Sequence, residues 1–264
     1  MTETPDERAA RLRAEALAAP TITDAEFQTR SRRAFLVTGV SALVGAAAWQ
    51  YVSLGPQDDG IPSVLRQGHR LNERLWQSLY SEDRLAPTFA RTASAMPRTN
   101  GRYGLAGPFA PDAWTMRVLG PDGALLDVLD LDDLKRLPKV EMTTELKCIE
   151  GWSQVVTWGG ARFSDLAARY ASRLPAGLPY VGLATPDGAY TVGLDRAAAM
   201  HPQTLLATEM QGQPLRPENG APVRLATPLK YGVKSLKRIG TVRFMAERPR
   251  DFWAERGYDW YIGH

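Results

Sequence analysis

An uncharged apolar run, Ala34 to Leu54, constrains the fold of this chain more than any other feature. Its 21 residues follow the arginine pair Arg32 and Arg33, and the next charged residue is Asp58. A helix of roughly 20 apolar residues spans the hydrocarbon core of a bilayer. The glycines and alanines of the run would pack poorly in a protein core, which disfavours a buried helix. We therefore expect one transmembrane or signal helix over residues 34–54.

The residues around the arginine pair, Ser31 to Leu36, read SRRAFL and resemble the twin-arginine export signal S-R-R-x-F-L. The positive-inside rule predicts that residues 1–30 stay in the cytoplasm and that the chain after the run lies outside, on the periplasmic side. No A-x-A site is followed by a clean polar start, which favours an uncleaved membrane anchor. Because this export route carries folded proteins, it is typical of domains that take up a cofactor before export.

The sequence divides into four parts: a tail with the twin-arginine motif (1–33), the transmembrane or signal segment (34–54), a linker with an amphipathic helix (55–95) and a globular domain (96–264). In the third part, the spacing of Leu65, Leu71, Leu75, Trp76 and Leu79 predicts a helix. We expect this helix, from Ser63 to Tyr80, to lie on the domain or near the membrane surface.

The globular domain is predicted to be α+β, with mixed β-sheets and short helices. The strand candidates are WTMRVLG, VEMTTELKCIE, YVGLAT, AYTVGL, PVRLATP and IGTVRFMAE, and the helix candidates are LDDLKRLP, RFSDLAARYASRL and LDRAAAMHPQTLLATEM. The motifs GxxxxGK[ST], GxGxxG and HExxH are absent, so P-loop, Rossmann and zincin readings lack their defining residues. A net charge of +3 does not indicate nucleic-acid binding.

The chain has a single cysteine, Cys148, which excludes an intrachain disulfide. A Cys-His hydrolase would need a base, yet only His69, His201 and His264 are available and no cysteine-protease signature is present. A thiol redox pair lacks its resolving partner, and a zinc site lacks enough ligands. Two interpretations of Cys148 remain. It is either a buried structural cysteine or a soft thiolate ligand of a metal ion whose other ligands do not come from this chain.

The segment around the cysteine, with Cys148, Glu150, Gly151, Trp152, Trp158 and Leu166, resembles the signature of the sulfite oxidase family of molybdopterin enzymes. Within that family it is most similar to the bacterial protein-methionine-sulfoxide reductase catalytic subunits. A second block, residues 199–244, matches the same family's pattern, as does PRTNGRYG before the first strand. The resemblance covers roughly residues 97–250 and implies the sulfite-oxidase-like fold.

The resemblance implies a molybdenum ion, held by the dithiolene of a molybdopterin and by the Cys148 thiolate. It also implies that the pterin and its phosphate are bound by Asn100, Tyr103, Thr185, Asn219, Arg224, Ser235, Leu236 and Lys237. Lys230, Lys234, Lys237 and Arg238 place four cations in nine residues, which suits a phosphate group or, equally, a solvated strand end.

Two further residues are candidates for catalysis. Glu150 would act as a base or tune the thiolate, with an ion pair as the alternative, and Tyr231 would reach the substrate or pack beside a glycine turn. Trp152 and Trp158 are predicted to belong to the core. Gly104 stands where close relatives in this family carry an acidic residue.

The function implied by the resemblance is a membrane-tethered oxidoreductase that reduces an oxidised sulfur group. Its substrate would be a small or protein-bound sulfoxide, and its electrons would come from a membrane haem protein or the quinone pool. Sulfite oxidation is the alternative on the same fold. A cofactor-free binding module without catalysis is the alternative of another class.

Overall fold

The computed structural model describes residues 4–18, 23–58, 60–79, 83–106, 110 and 113–263. These residues form two compact units, one up to Gly55 and one from Pro56 onward. His264 and Tyr80, named above, lie outside the described residues.

The first unit contains helices α1 (Pro5–Ala18) and α2 (Asp24–Leu54). Helix α2 begins ten residues before the apolar run, because Thr23 and Glu26 form a capping box at its N-terminus. Its 31 residues include the arginine pair, and none of them is buried. By length and composition α2 is sufficient to cross a membrane, a test that a signal sequence near the N-terminus also passes.

The second unit begins with a short hairpin and a helix. The hairpin consists of β1 (Gln57–Asp58) and β2 (Ile61–Pro62), and the helix is α3 (Ser63–Leu79). Helix α3 is the helix that the leucine spacing predicted. Its buried residues are polar, however: Arg66 and Glu73 face the domain. Arg66 donates to the carbonyl of Ala254 at 2.5 Å, and Glu73 accepts from Arg248 at 2.6 Å.

One antiparallel sheet carries the central part of the chain. Its strands run in the order β10-β9-β6-β5, and β11 pairs with the same strand β9. The strands are β5 (Lys139–Lys147), β6 (Ser153–Arg162), β9 (Leu205–Met210), β10 (Gln213–Pro214) and β11 (Arg224–Ala226). Strand β6 bulges at Gly159 and Gly160, where a Cβ on Gly160 would lie 2.1 Å from the Leu206 carbonyl oxygen.

The other large sheet is mixed, with the order β4-β3-β12-β7-β8. Its strands are β3 (Met116–Leu119), β4 (Leu125–Leu129), β7 (Tyr180–Ala184), β8 (Thr191–Asp195) and β12 (Thr241–Met245). Strands β3 and β12 are parallel, and the other pairs of this sheet are antiparallel. Three short helices complete the domain: α4 (Leu131–Lys135), α5 (Phe163–Ala168) and α6 (Arg196–Met200). The predicted α+β class, with mixed sheets and short helices, is confirmed.

Two helix predictions were too long. The segment LDRAAAMHPQTLLATEM forms a helix only to Met200, and its second half is strand β9. Pro202 follows the last helical turn, and β9 is then held between β6 and β11 by backbone hydrogen bonds on both edges. Helix α5 likewise ends at Ala168 and is followed by turns. Strands β4 and β6 were not predicted.

Candidate functional site

Cys148 lies directly after β5, in the turn that leads into β6. Its backbone N–H donates to the Trp152 carbonyl at 2.8 Å, and its carbonyl accepts from the Gly151 N–H at 3.1 Å. Gly151 has φ +85°, a conformation that glycine adopts without strain. The tight turn therefore fixes the cysteine at the end of the central antiparallel sheet.

The cysteine lines a cavity of about 230 Å³. Five chain segments that are distant in sequence form its wall. They are the loop 97–103, the turn 146–152, residues 219 and 224, the 3-10 turn and the residues after it (232–237), and the segment 253–258. Tyr190 also lines the cavity. The enclosed space is thus a product of the tertiary fold, and no single motif builds it.

The Cys148 thiol is nearly enclosed by the protein, with 8% of the residue exposed. Burial raises the pKa of this thiol, and hydrogen bonds from the Glu150 backbone and the Asn100 side chain act in the opposite direction. Asn100 Nδ2 lies 3.6 Å from Cys148 Sγ. A thiol in this setting stays protonated unless a cation such as a metal ion stabilises the thiolate.

Three cations line the same cavity, the exposed Arg98 and the more buried Arg224 and Lys237. Arg224 is 4% exposed and donates to the carbonyls of Asn219 at 3.0 Å and Ser235 at 3.2 Å, while its Nε has no acceptor among the described residues. Burial lowers the Arg224 pKa to about 10. Burial, with repulsion from Arg224, also lowers the Lys237 pKa to about 8, although Lys237 donates to the carbonyls of Asn100 and Gly101. Two desolvated cations with incomplete partners favour an anionic ligand.

The cavity brings together most of the residues that the sequence analysis assigned to the site. These are Asn100, Tyr103, Cys148, Glu150, Asn219, Arg224, Ser235 and Lys237. Glu150 is the only carboxylate among the described lining residues, and it accepts a hydrogen bond from Trp152 Nε1 at 3.0 Å. Trp152 also lines the cavity, whereas Trp158 is buried beneath Arg224, with the guanidinium 4.8 Å from the ring centroid.

Three assigned residues do not line this cavity. The Thr185 side chain donates to Asp187 at 2.6 Å, and Leu236 is part of the large hydrophobic core. Tyr231 precedes the 3-10 turn at Gly232–Lys234, and its backbone N–H donates to the Ile262 carbonyl at 3.3 Å. The roles assigned to these three residues stay predictions.

The four basic side chains of residues 230–238 lie in different parts of the domain, and of these only Lys237 lines the cavity. Lys234 is fully buried and pairs with Asp251 at 2.5 Å, and Lys230 lies 3.3 Å from Asp195. Arg238 Nε donates to the Ala221 carbonyl at 3.1 Å. The spacing of basic residues therefore overstated the positive charge at the site, because lysines in one short segment point into different parts of the core.

Aromatic residues form a wall of the cavity that the sequence analysis missed. Tyr190, Trp253 and Tyr258 line it, and the rings of Trp253 and Tyr258 meet edge to face at 5.1 Å. Tyr190 Oη donates to the Val233 carbonyl at 2.6 Å, and burial raises the pKa of this phenol. The aromatic density of DFWAERGYDW was the available signal.

Asp251 holds the start of this aromatic segment. Its carboxylate accepts from the backbone N–H groups of Gly193, Trp253 and Ala254, each at 3.1 Å, in addition to the Lys234 pair. A carboxylate with this many donors fixes the local backbone. The position of Trp253 in the cavity wall thus depends on a buried ion pair outside the cavity.

The two histidines in the described part of the chain do not line the cavity that holds the thiol. His69 lies on α3, with Nδ1 3.2 Å from Arg66, and the buried His201 accepts from the Gln203 backbone at 3.2 Å. Neither is a cavity residue, which argues against a Cys-His nucleophile within the described chain. The described residues also contain no group of three or more His, Cys, Asp or Glu side chains that could hold a metal ion by themselves. A metal at Cys148 would therefore need ligands from a cofactor.

Known proteins that are similar to this chain show its family. The family model described as "oxidoreductase molybdopterin binding domain" matches residues 105–253. A protein of Azospira oryzae, provisionally named protein-methionine-sulfoxide reductase subunit YedZ1, is 32% identical over 241 residues, which cover 88% of each chain. The protein-methionine-sulfoxide reductase catalytic subunit of Xanthomonas axonopodis pv. citri is 37% identical over 156 residues, 53% of this chain.

The match spans about half, 47%, of that catalytic subunit's own length. Among solved structures, the sulfane dehydrogenase SoxCD of Paracoccus pantotrophus aligns with a TM-score of 0.49 and 18% identity, over 54% of this chain and 41% of that chain. The family model covers more than half of the chain, and the Azospira relative covers most of it. The chain therefore belongs to the family of oxidoreductases with a molybdopterin-binding domain.

Proposed function

We propose that this protein reduces a sulfoxide at a molybdenum ion that is bound by the Cys148 thiolate and by one molybdopterin. The observation that carries the proposal is the joint presence of the thiol, Arg224 and Lys237 in one cavity. The relatives named as methionine-sulfoxide reductases support a sulfur-centred substrate.

The residues that line the cavity fit a molybdenum ion with one molybdopterin. The thiol offers one soft ligand, and the absence of further metal-binding clusters among the described residues suits a metal whose remaining sulfur ligands come from the pterin. The acceptor-free Nε of Arg224 and the desolvated ammonium of Lys237 suit the pterin phosphate. Asn100, Tyr103, Asn219 and Ser235, which line the same cavity, would hold the rest of the group.

When bound, the molybdenum supplies two-electron oxygen-atom transfer. Reduction of a sulfoxide to a thioether consumes two electrons and two protons and releases one water molecule. Glu150, as the only described carboxylate on the cavity wall, is the group from which these protons would be delivered. The hydrogen bond from Trp152 Nε1 orients that carboxylate.

The aromatic wall suits a neutral substrate with a methyl group and a polarisable sulfur. Trp253 and Tyr258 line the cavity, and sulfur–aromatic contacts are favourable. Sulfite oxidation is the second candidate, and it is favoured by Arg98, an exposed cation that also lines the cavity and would attract a dianion. Turnover of methionine sulfoxide and of sulfite by the same preparation distinguishes the two.

The protein is proposed to remain tethered by α2 after twin-arginine export, with the domain on the periplasmic side. The apolar length of α2 supports this, as does the arginine pair in its sequence. A membrane-bound donor, either a haem protein or the quinone pool, would then supply the two electrons.

The test replaces the thiol. Cys148→Ser is nearly isosteric, but a hydroxyl is a poor soft-metal ligand, so we expect bound molybdenum and turnover to be lost while the domain stays folded. Wild-type and variant protein are purified from a molybdenum-competent host and analysed for metal, pterin and sulfoxide reduction. Normal molybdenum content with retained turnover would refute the ligand assignment. Wild-type protein that is folded but free of molybdenum and pterin would support the cofactor-free binding module instead.

A further inference from the structure

Helix α3 exposes an apolar face, which also includes Gly68 and the exposed Asn72, whose side chain donates to Asp259 at 2.8 Å. Val64, Leu65, Leu71, Leu75 and Leu79 form this leucine face, and each is between 40% and 67% exposed. At 100° per residue, these positions fall within about a third of the helix circumference. Isolated exposed leucines are ordinary, but a stripe along one helix marks a contact surface.

An ordinary surface helix buries its apolar side, but on α3 only Trp76 of the apolar residues used to predict the helix packs against a buried cluster, that of Ala254, Trp260 and Tyr261. Here the buried side carries Arg66 and Glu73. Arg66 donates to the carbonyls of Ala254 and Tyr258 at 2.5 and 2.8 Å, and Glu73 accepts from Arg248 at 2.6 Å. Because rotation of the helix would break these buried contacts, the leucine face is held outward.

The occupant that fits this face is a lipid surface. Glu73 is the only acidic residue of α3 and it is buried, so the exposed charged side chains of the helix are Arg74 and Arg70, of which Arg70 also pairs with Asp58. An apolar stripe flanked by arginines is the pattern of helices that lie in the headgroup region of anionic bilayers.

The connection to α2 supports the same occupant. Eight residues separate Leu54, the last residue of α2, from Ser63, the first residue of α3. An extended chain of eight residues spans at most about 28 Å. If α2 crosses the membrane, α3 therefore begins within reach of the lipid headgroups. Because the chain is then already tethered, binding of α3 to lipid costs little further translational entropy.

We infer that the leucine face of α3 inserts into the surface of an anionic bilayer and fixes the orientation of the domain on the membrane. Arg66 links this surface to the cavity, because it bonds the backbone of Tyr258, a residue of the cavity wall. Insertion would hold the rim of the cavity close to the headgroups. The inference uses the membrane anchor but not the identity of the reaction.

The experiment uses the full chain, loaded with its cofactor, in vesicles of phosphatidylglycerol and phosphatidylethanolamine. Photoreactive benzoylphenylalanine replaces Leu75 in one preparation and Leu125 in the matched control. The two leucines are 55% and 52% exposed, but Leu125 lies on strand β4. Covalent adducts are identified by mass spectrometry. We expect lipid adducts at position 75 to exceed those at position 125 by on the order of tenfold, because a preference of about 1.4 kcal/mol for the bilayer over water, less than full burial of one leucine supplies, gives that ratio of inserted to free states.

Three outcomes would overturn the inference. Equal lipid adducts at the two positions would show that the face does not enter the bilayer. Adducts at position 75 that are mainly with protein would show that a second copy or another protein covers the face. Unchanged lipid labelling at position 75 after Leu71→Ser with Leu79→Ser would show that the leucines do not drive insertion. Turnover in detergent is measured for each variant and should not change, because none of these side chains lines the cavity.

Discussion

Replacement of Asp251 by asparagine should destabilise the domain strongly. The side chains of Asp251 and Lys234 are only 3% and 2% exposed, with the charged atoms 2.5 Å apart. Asp251→Asn leaves the Lys234 ammonium buried without a countercharge and turns an amide N–H₂ towards either that ammonium or the backbone N–H groups. Breaking a buried pair on one side costs about 3–5 kcal/mol. That loss is a large part of the total stability of about 5–15 kcal/mol that domains have.

Urea-induced unfolding of the full chain in detergent, followed by tryptophan fluorescence, measures the loss. With a slope of about 2 kcal/mol per molar, the midpoint should fall by about 2 M. Lys234→Met should cost less, because the Asp251 carboxylate keeps three backbone donors, whereas in the asparagine variant the charged lysine keeps the Gly193 carbonyl and the face of the Trp260 ring but no countercharge.

The matched control is the exposed pair of Arg91 and Glu141. Its atoms are 3.1 Å apart, but its side chains are 58% and 43% exposed. Glu141→Gln should change the unfolding free energy by less than about 0.5 kcal/mol. If Asp251→Asn and Glu141→Gln cost similar amounts, or if Lys234→Met is the more damaging change, the reasoning from burial and donor count is wrong.

Three further predictions concern pH, backbone strain and export. Burial lowers the Lys230 pKa to about 8, so above that pH the Lys230 side chain holds more protons in the unfolded chain than in the folded one, and the unfolding free energy rises with pH. From pH 7 to 9 the wild-type unfolding free energy should therefore gain about 1 kcal/mol relative to Lys230→Met. Parallel pH curves of the two proteins would contradict this. Gly104→Ala should destabilise by about 1–3 kcal/mol more than Gly101→Ala, because both glycines have positive φ but only a Cβ at Gly104 meets atoms at 2.2 Å; equal thermal shifts would count against the overlap. Arg32→Lys with Arg33→Lys should keep the protein in the cytoplasm, and normal periplasmic exposure in protease-accessibility assays would indicate another export route.

The sequence was informative where local chemistry determines the structure. The strand at Thr241–Met245 and the helix carrying the spaced leucines both have local signals, namely turn residues or clear periodicity. The strand candidate VEMTTELKCIE, in contrast, ran through Cys148, where the structure has a turn. Strand β6 lacks such a signal because it pairs with neighbours on both edges and most of its residues are buried, so its apolar residues do not alternate. Strand β9 was assigned to a helix because its alanine and leucine favour helices and only tertiary pairing overrides that preference.

The candidate site was predictable to the extent that it follows the family's motifs. Cys148 and Arg224 could be assigned from them, and both line the cavity. Which way a lysine points within a basic segment could not be predicted, because Lys234 and Lys237 are only three residues apart and have different partners. The outward leucines of α3 were also beyond sequence reasoning, since an amphipathic pattern does not say which face is covered.

The parallel pairing of β3 with β12 has a consequence for the order of folding. Arg117 and Thr241, which are partners in this pairing, are 124 residues apart, and nearly all the cavity segments lie between them or just beyond. Closing a loop of that length costs about 4 kcal/mol of chain entropy before any contact compensates it. The cavity therefore assembles late, when almost the whole chain has left the ribosome, and a nascent or truncated chain offers no partial cradle to a cofactor. A cofactor that needs all of these segments would then bind only after the strand at Thr241–Met245 has paired with the strand at Met116–Leu119.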